Sequence, residues 1–269
     1  MSADRRPPIE GRNFWVVGAS SGIGAALARE LVERGASVAI SARRMEELEK
    51  VSGGEMSTIV LDATDPEGVA LAAHQAAEAL GSLDTVIWCA GYWKQFDAAA
   101  WDREAFARHI EVNVLGLNNL LAAVVPTMVG QGAGHIVGVA SVAGYRGIPG
   151  SEAYGATKAA QINLLEAMRG SLAQHGIRVT TVCPGFVRTE MTADNTFSMP
   201  FLIEPDQAAT SIANGLEKRR NEIIFPLPMA LLMKAARAVP VGLWSTLTRV
   251  RDHSTDNRRS TTPAEFTRR

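Results

Sequence analysis

Tyr154 and Lys158 stand four positions apart in Tyr154-Gly155-Ala156-Thr157-Lys158, at the start of a stretch patterned as a helix. That spacing puts both side chains on one helix face, one turn apart. A phenol ionises near about pH 10, too high for an efficient base at neutral pH. An ammonium one turn away favours the phenolate and lowers that value. Taken alone, such a pair serves equally well as an exposed surface pair. Ser141 ends a strand-like run, where open α/β sheets place their ligand crevice. Its hydroxyl can donate to a substrate oxygen or cap a loop. Asn113, in Glu111-Val112-Asn113-Val114, interrupts a helical pattern that asparagine mildly disfavours, which points to a buried polar role or a kink.

A different chemistry is written in Gly18-Ala19-Ser20-Ser21-Gly22-Ile23-Gly24, which joins the first strand-like run to a helical pattern. A helix N-terminus exposes unpaired N–H groups and the positive end of the helix dipole. Glycines there let a pyrophosphate approach the backbone, although the same spacing also suits a tight turn with no ligand. The second run ends in Ser41-Ala42-Arg43-Arg44. In a dinucleotide fold an acid at that place binds the ribose 2′-hydroxyl of NAD, whereas an arginine accommodates a 2′-phosphate. The acid is missing here, so Arg43 favours NADP (NADPH) over NAD, its fork of N–H groups suiting phosphate. Arg44 reads more readily as the solvated start of the next helix.

The elements that must position these residues alternate along the chain. Apolar β-rich runs lie at 14–17, 37–41, 58–61, 85–88, 135–140, 178–182 and 222–225. Helical patterns lie between them at 23–34, 45–51, 66–80, 103–125, 153–175 and 205–218. Alternating units imply parallel strands with crossover helices, because parallel neighbours need a long connection. Runs apolar on both sides fit a sheet covered on both faces. The expected fold is α/β, a doubly wound parallel sheet of about seven strands in a single domain over 12–225.

Glycine turn, Asn113, Ser141, Tyr154 and Lys158 occur in an order and spacing that resembles the short-chain dehydrogenase/reductase family, a Rossmann-type fold. Further matches are Leu61-Asp62-Ala63-Thr64-Asp65, Cys89-Ala90-Gly91 and Pro184-Gly185-Phe186-Val187-Arg188-Thr189. The resemblance implies an NADP-dependent oxidoreductase that moves a hydride between nicotinamide and a carbonyl or secondary alcohol. It implies that Tyr154 donates or accepts the proton, that Ser141 orients the substrate carbonyl, and that Lys158 binds the nicotinamide ribose and lowers the tyrosine pKa. Asn113 would hold a water linking Lys158 to solvent. Asp62 would meet the adenine amine and Thr189 the carboxamide, with Val187, Pro184, Gly185, Ala90 and Gly91 beside the cofactor. Two departures stand out: Val17 where the glycine motif usually begins with Thr, and Cys89 where the family has Asn. Cys89 reads as a small buried packing group and His135 as structural. The segment 190–200, with Met191, Phe197 and Met199, followed by Phe201, lies where the family places its substrate lid, and suggests a hydrophobic substrate.

Composition narrows the alternatives. The 269 residues carry 27 Lys+Arg against 28 Asp+Glu, too balanced for nucleic acid to be the main partner. Cys89 and Cys183 lie far apart, with neither a disulfide framework nor zinc spacing, and no metal is expected. Residues 1–13 are polar with no apolar signal region, so the expected compartment is the cytoplasm. The resemblance implies a homo-oligomer, with Leu117, Leu120 and Leu121 either contacting a second subunit or facing the sheet. Residues 226–247 form an apolar C-terminal extension with a helix-like stretch at 229–239, expected to help close a hydrophobic substrate site or an interface, with peripheral membrane contact as the alternative. Residues 248–269 read as a flexible basic tail. The competing functional class is a cofactor-binding or membrane-surface protein that keeps this fold without turnover.

Overall fold

A computed structural model of the chain describes residues 8–195 and 197–249; of the basic tail, residues 250–269 lie outside the described residues. Seven strands form one parallel sheet: β1 (Asn13–Val17), β2 (Ser37–Ala42), β3 (Ser57–Val60), β4 (Thr85–Trp88), β5 (Gly134–Val139), β6 (Ile177–Pro184) and β7 (Glu222–Phe225). Their order is β3-β2-β1-β4-β5-β6-β7. The direction of winding therefore reverses between β1 and β4.

Alternation along β1 shows how the sheet is covered. Phe14 and Val16 point into one apolar layer, where helices α1 (Gly22–Glu33) and α7 (Pro205–Glu217) contribute Leu27, Leu31, Ile212 and Leu216. Trp15 and Val17 point into the opposite layer, built by α3 (Pro66–Leu80), α5 (Gly116–Gln131) and α6 (Glu152–Ala173) through Val69, Leu117, Leu120 and Leu165. The buried Trp15 indole meets its one polar need by donating to Ser41 Oγ at 2.9 Å. Helix α2 (Met45–Ser52) closes the β2–β3 crossover. Asp65 accepts from the Glu67 N–H before Pro66, and Asp102 accepts from the Ala105 N–H, so α3 and α4 (Arg103–His109) begin on capping carboxylates.

The helix expected at 103–125 differs from the observed one in two ways. It is broken by a π-helical turn at Ile110–Leu115, and it continues past Pro126 to Gln131, where Gly132 stops it at φ +63°. Buried Val124 and Met128 hold both sides of the proline against the sheet, so packing outweighs the local penalty. The run from α4 to α5 is long and apolar enough to cross a membrane by length and composition. Its Leu117, Leu120, Leu121, Val124 and Met128 are instead buried in the core, so of the two places open to the three leucines, subunit contact and sheet, the structure shows the sheet. Leu115 and Leu164 are exposed.

The apolar extension folds as α8 (Leu227–Ala238) and α9 (Val241–Leu247), the second of which the sequence pattern did not suggest. Met229 and Met233 of α8 pack on Ala140, Val142, Tyr145 and Cys183, beside the C-terminal ends of β5 and β6. The Tyr145 hydroxyl donates to Glu222 Oε1 at 2.7 Å, and Lys234 of α8 pairs with Oε2 of the same carboxylate at 2.9 Å. The Trp244 indole of α9 donates to the Gly147 carbonyl. Leu227, Leu231, Val241, Leu243 and Leu247 face outward.

His135, at the start of β5, is buried and shares a 2.8 Å hydrogen bond with Thr180 Oγ1. Burial and the nearby Arg178, Arg12 and Arg219 push it down to about 3. A histidine whose folded pKa lies below its unfolded value contributes stability above the unfolded value, near about 6.5, and that contribution is lost as pH falls toward the folded one. The melting temperature should therefore fall more steeply between about pH 6.5 and pH 4 in the wild type than in His135→Asn. Scanning calorimetry across that window checks it, and parallel curves would remove His135 from the acid response.

Candidate active site

The reversal between β1 and β4 opens a cleft of about 630 Å³ at the C-terminal ends of the strands. The glycine turn lines one side. Gly18 sits at φ +91°, and a Cβ there would overlap the backbone of Ala90 in the loop after β4. A Cβ on Gly24 would overlap the Gly18 carbonyl. A side chain at Gly18 would drive the two loops apart, and one at Gly24 would force the glycine turn itself open. Ser20, Ser21, Gly22 and Ile23 line the cleft, and a Cβ on Gly22 would lie 2.9 Å from Thr189 Cγ2 on the far wall. Ser21 precedes α1 without capping it by its side chain, and the first turn of α1 carries no acid. Its leading N–H groups and dipole thus face the cleft uncompensated, the arrangement that suits a diphosphate.

Asp62, Arg43 and Arg44 stand together at one end of the cleft. Asp62 Oδ1 accepts from the Thr64 N–H at 2.9 Å and the Thr64 hydroxyl at 2.8 Å. These bonds, outweighing partial burial, and the charges of Arg43 and Arg108 hold its carboxyl below the ordinary value. Arg44 is more than the solvated helix start expected from sequence. Its guanidinium meets Ser20 Oγ at 3.3 Å and Glu190 Oε2 at 3.1 Å, spanning from the strand-β2 end to the glycine turn and the loop after β6. Arg44 therefore offers positive charge beside Ser20, while Arg43 lines the same cleft and acts on Asp62.

The other end gathers Ser141, Tyr154, Lys158 and Asn113. Ser141 follows β5 and accepts from the Ala143 N–H at 3.1 Å, fixing a short 3₁₀ turn at Val142–Gly144. Ser141 and Tyr154 line the cleft together, and burial pushes the phenol up to about 12, with the Ser141 hydroxyl pulling the other way. Lys158 Nζ lies 5.4 Å from the ring centroid, over the face, and donates to Val139 O and Gln161 Oε1, each at 3.0 Å. Burial pushes Lys158 down to about 8.

Asn113 sits in the π-helical turn and is fully buried, so both the kink and the polar role foreseen for it are present. Its amide accepts from the Tyr92 N–H at 2.7 Å and donates to the Tyr92 carbonyl and to Thr157 Oγ1, both at 3.0 Å. The side chain thus clamps the loop after β4 to α6. Cys89 and Cys183 are thiols pushed up to about 12 and about 11 by burial, in keeping with packing roles. Ala90, Gly91, Pro184, Gly185, Val187 and Thr189 all line the cleft, as the resemblance implies.

Sequence reasoning missed Trp93. It lines the cleft, stands edge-on to Tyr154 with ring centroids 5.2 Å apart, and donates from its indole to Asn195 Oδ1 at 3.0 Å. This wall of the cleft is thereby tied to the segment at 190–200. Met191 of that segment lines the cleft, whereas Phe197 leans on Phe186 and Phe201 is exposed. A large aromatic two residues past Cys89-Ala90-Gly91 was the available signal. Also missed was Gln161, buried one turn beyond Lys158. No residue of 226–247 lines this cleft, so the expectation that the extension closes the substrate site is corrected: α8 braces the back of the Ser141 turn. Among the described residues there is no cluster suited to a metal ion.

The family model of the short chain dehydrogenases matches residues 12–198. An uncharacterized oxidoreductase of Myxococcus xanthus is 35% identical over 244 residues, spanning 88% of this chain and 96% of the relative. The crystal structure of a short chain dehydrogenase from Burkholderia cenocepacia in complex with NADP superposes with a TM-score of 0.80 at 30% identity, covering 90% of this chain and 99% of that one. A Burkholderia phymatum protein in complex with NAD shares the fold, with a TM-score of 0.78 at 22% identity, over 84% of this chain and 93% of that one.

Asn113→Ala removes the clamp and leaves the Tyr92 N–H and carbonyl without their partner. The expected loss is about 2–3 kcal/mol in urea unfolding, since each orphaned buried group costs about 1–3 kcal/mol. A change below about 0.5 kcal/mol would show that the loop after β4 is held by something else.

Proposed function

This chain belongs to the short-chain dehydrogenase/reductase family and is a nicotinamide-dependent oxidoreductase, and from that premise we propose that it uses NADP(H) to interconvert a carbonyl and a secondary alcohol on a hydrophobic substrate. The observation that carries the reading is that Ser141, Tyr154 and Lys158 line the same glycine-walled cleft, with Lys158 Nζ over the Tyr154 ring. Residues Gly18 to Gly24 would hold the diphosphate, Asp62 the adenine side, Thr189 and Val187 the nicotinamide side. The bound nicotinamide supplies or accepts the hydride.

The chain's own residues handle the oxygen and its proton. With its pKa pushed up to about 12, Tyr154 is a protonated phenol at neutral pH, the form required to donate to a carbonyl oxygen as that oxygen gains negative charge. Ser141 shares the same oxygen and is held in place by the Ala143 N–H. Lys158 contributes positive charge behind the phenol ring, in a site where burial strengthens it. Trp93 and Met191 make the neighbouring wall apolar, which supports a hydrophobic substrate.

Tyr154→Phe deletes only the hydroxyl. Turnover of a carbonyl substrate found by screening aldehydes and ketones against NADPH oxidation should fall by about 10²–10⁴-fold, the usual share of acid–base catalysis. Thermal stability and NADPH binding should barely move. Wild-type turnover in the mutant would overturn the assignment.

Preference for NADP rests on Arg43 and Arg44, both lining the cleft, with Arg44 beside Ser20. Removing a charge-assisted phosphate contact weakens binding by about 10- to 100-fold. Arg43→Ala, and more so the double change with Arg44→Ala, should lower affinity for NADPH by that factor and leave NADH nearly unchanged, as read by cofactor fluorescence titration. A wild-type protein that binds both cofactors equally would rule out the preference.

A further inference from the structure

Gln161 lies on α6 three residues beyond Lys158, on the same helix face, and is buried to 2% exposure. Its Nε2 donates to the Asn113 main-chain carbonyl at 2.6 Å, and its Oε1 accepts from Lys158 Nζ at 3.0 Å. The amide thus fills the interval between that carbonyl and the ammonium, where the family resemblance implies a water. We propose that Gln161 is a positioning residue that takes the place of this water, holding the Lys158 ammonium behind Tyr154 and closing the path from Lys158 to the Asn113 carbonyl. The inference rests on the reading of Tyr154 and Lys158 as reaction machinery.

Two physical points support it. A buried ammonium is costly unless its protons are accepted, and the acceptors facing Lys158 are the Val139 carbonyl of β5 and Gln161 of α6. The titratable groups acting on it are Cys89 after β4 and Cys183 on β6, both held neutral by burial at ordinary pH, while the face of the Tyr154 ring covers it from α6. Gln161 is therefore half of the hydrogen-bonding that keeps Lys158 charged. In addition, a bridging water accepts one proton while giving another, whereas an amide N–H and carbonyl oxygen are fixed as donor and acceptor. The Asn113 carbonyl then anchors the amide and does not serve as an exit for protons.

The test compares two substitutions of similar size in the full chain. Lys158 is followed directly by NMR of lysine labelled at Nζ and Cε, its signal assigned by its loss in Lys158→Arg. Gln161→Met keeps volume and removes the acceptor; Lys158 should then lose its proton about one pH unit lower, a tenfold change in its ionisation constant. Gln161→Glu places a carboxylate beside the ammonium and should move the same titration upward by a comparable step. The basic limb of kcat against pH should shift in the same two directions. A residue that only packs would leave the Lys158 titration of both variants within a few tenths of a unit of the wild type, and that result overturns the proposal. If Gln161→Met fails to fold, as circular dichroism would show, the upward shift in Gln161→Glu decides alone. Because the NMR titration needs no turnover, a shift seen in a protein that reduces no carbonyl upholds Gln161 and instead sinks the proposed function.

Discussion

Because β1 passes its crossover to β2 on one side while β4 continues toward β5 on the other, the loops that leave these two strands part instead of covering one another. Every feature of the site depends on that parting. The strand ends are level, Val17 pairing with both Ser41 of β2 and Trp88 of β4, so the loops that follow start from one plane. They nevertheless touch where Gly18 meets Ala90, with no room for a Cβ. The cleft is thus bounded by backbone, which can approach a ligand more closely than side chains allow.

Within that frame the electrostatics follow from burial. A lysine with neutral acceptors and a phenol in a desolvated wall are both pushed toward their uncharged forms, Lys158 to about 8 and Tyr154 to about 12. For the phenol this keeps the proton on at neutral pH, the form that the proposed function requires. For the ammonium it makes the two acceptors decisive, since each hydrogen bond offsets part of the desolvation. The π-helical turn serves the same end. It carries Asn113, whose side chain fastens the Tyr92 loop and whose main-chain carbonyl fastens Gln161.

The C-terminal extension acts on the site from behind. Met229 fills the space left by the missing Cβ of Gly185, next to Pro184 at the end of β6. Tyr145, at the end of the Ser141 turn, is held by Glu222 of β7, which Lys234 of α8 also holds. The hydroxyl of Ser141 is therefore positioned by a turn pressed between the sheet and α8, a rigid support of the kind that preorganised donors need.

Much of this was legible in the residue order. Doubly apolar runs mark strands buried on both faces, glycines at fixed places mark a turn that side chains would block, and Tyr154 with Lys158 must share a helix face whatever surrounds it. These are local consequences of backbone geometry. Partner choice is not local. Leu117, Leu120 and Leu121 are apolar on any reading, and only the sheet beneath α5 decided that they are core and not interface. The helical pattern was expected to stop at 125, and only burial of Val124 and Met128 on both sides of Pro126 carries the helix on to Gln131. Lys158 shares a helix face with the phenol, but that Val139 of β5 and Gln161 a turn away accept its protons is decided only in the folded chain. Residue order determined the elements and the types of group at their ends; tertiary structure decided which groups meet, because each hydrogen bond and each buried face is settled by competition among neighbours distant in the chain.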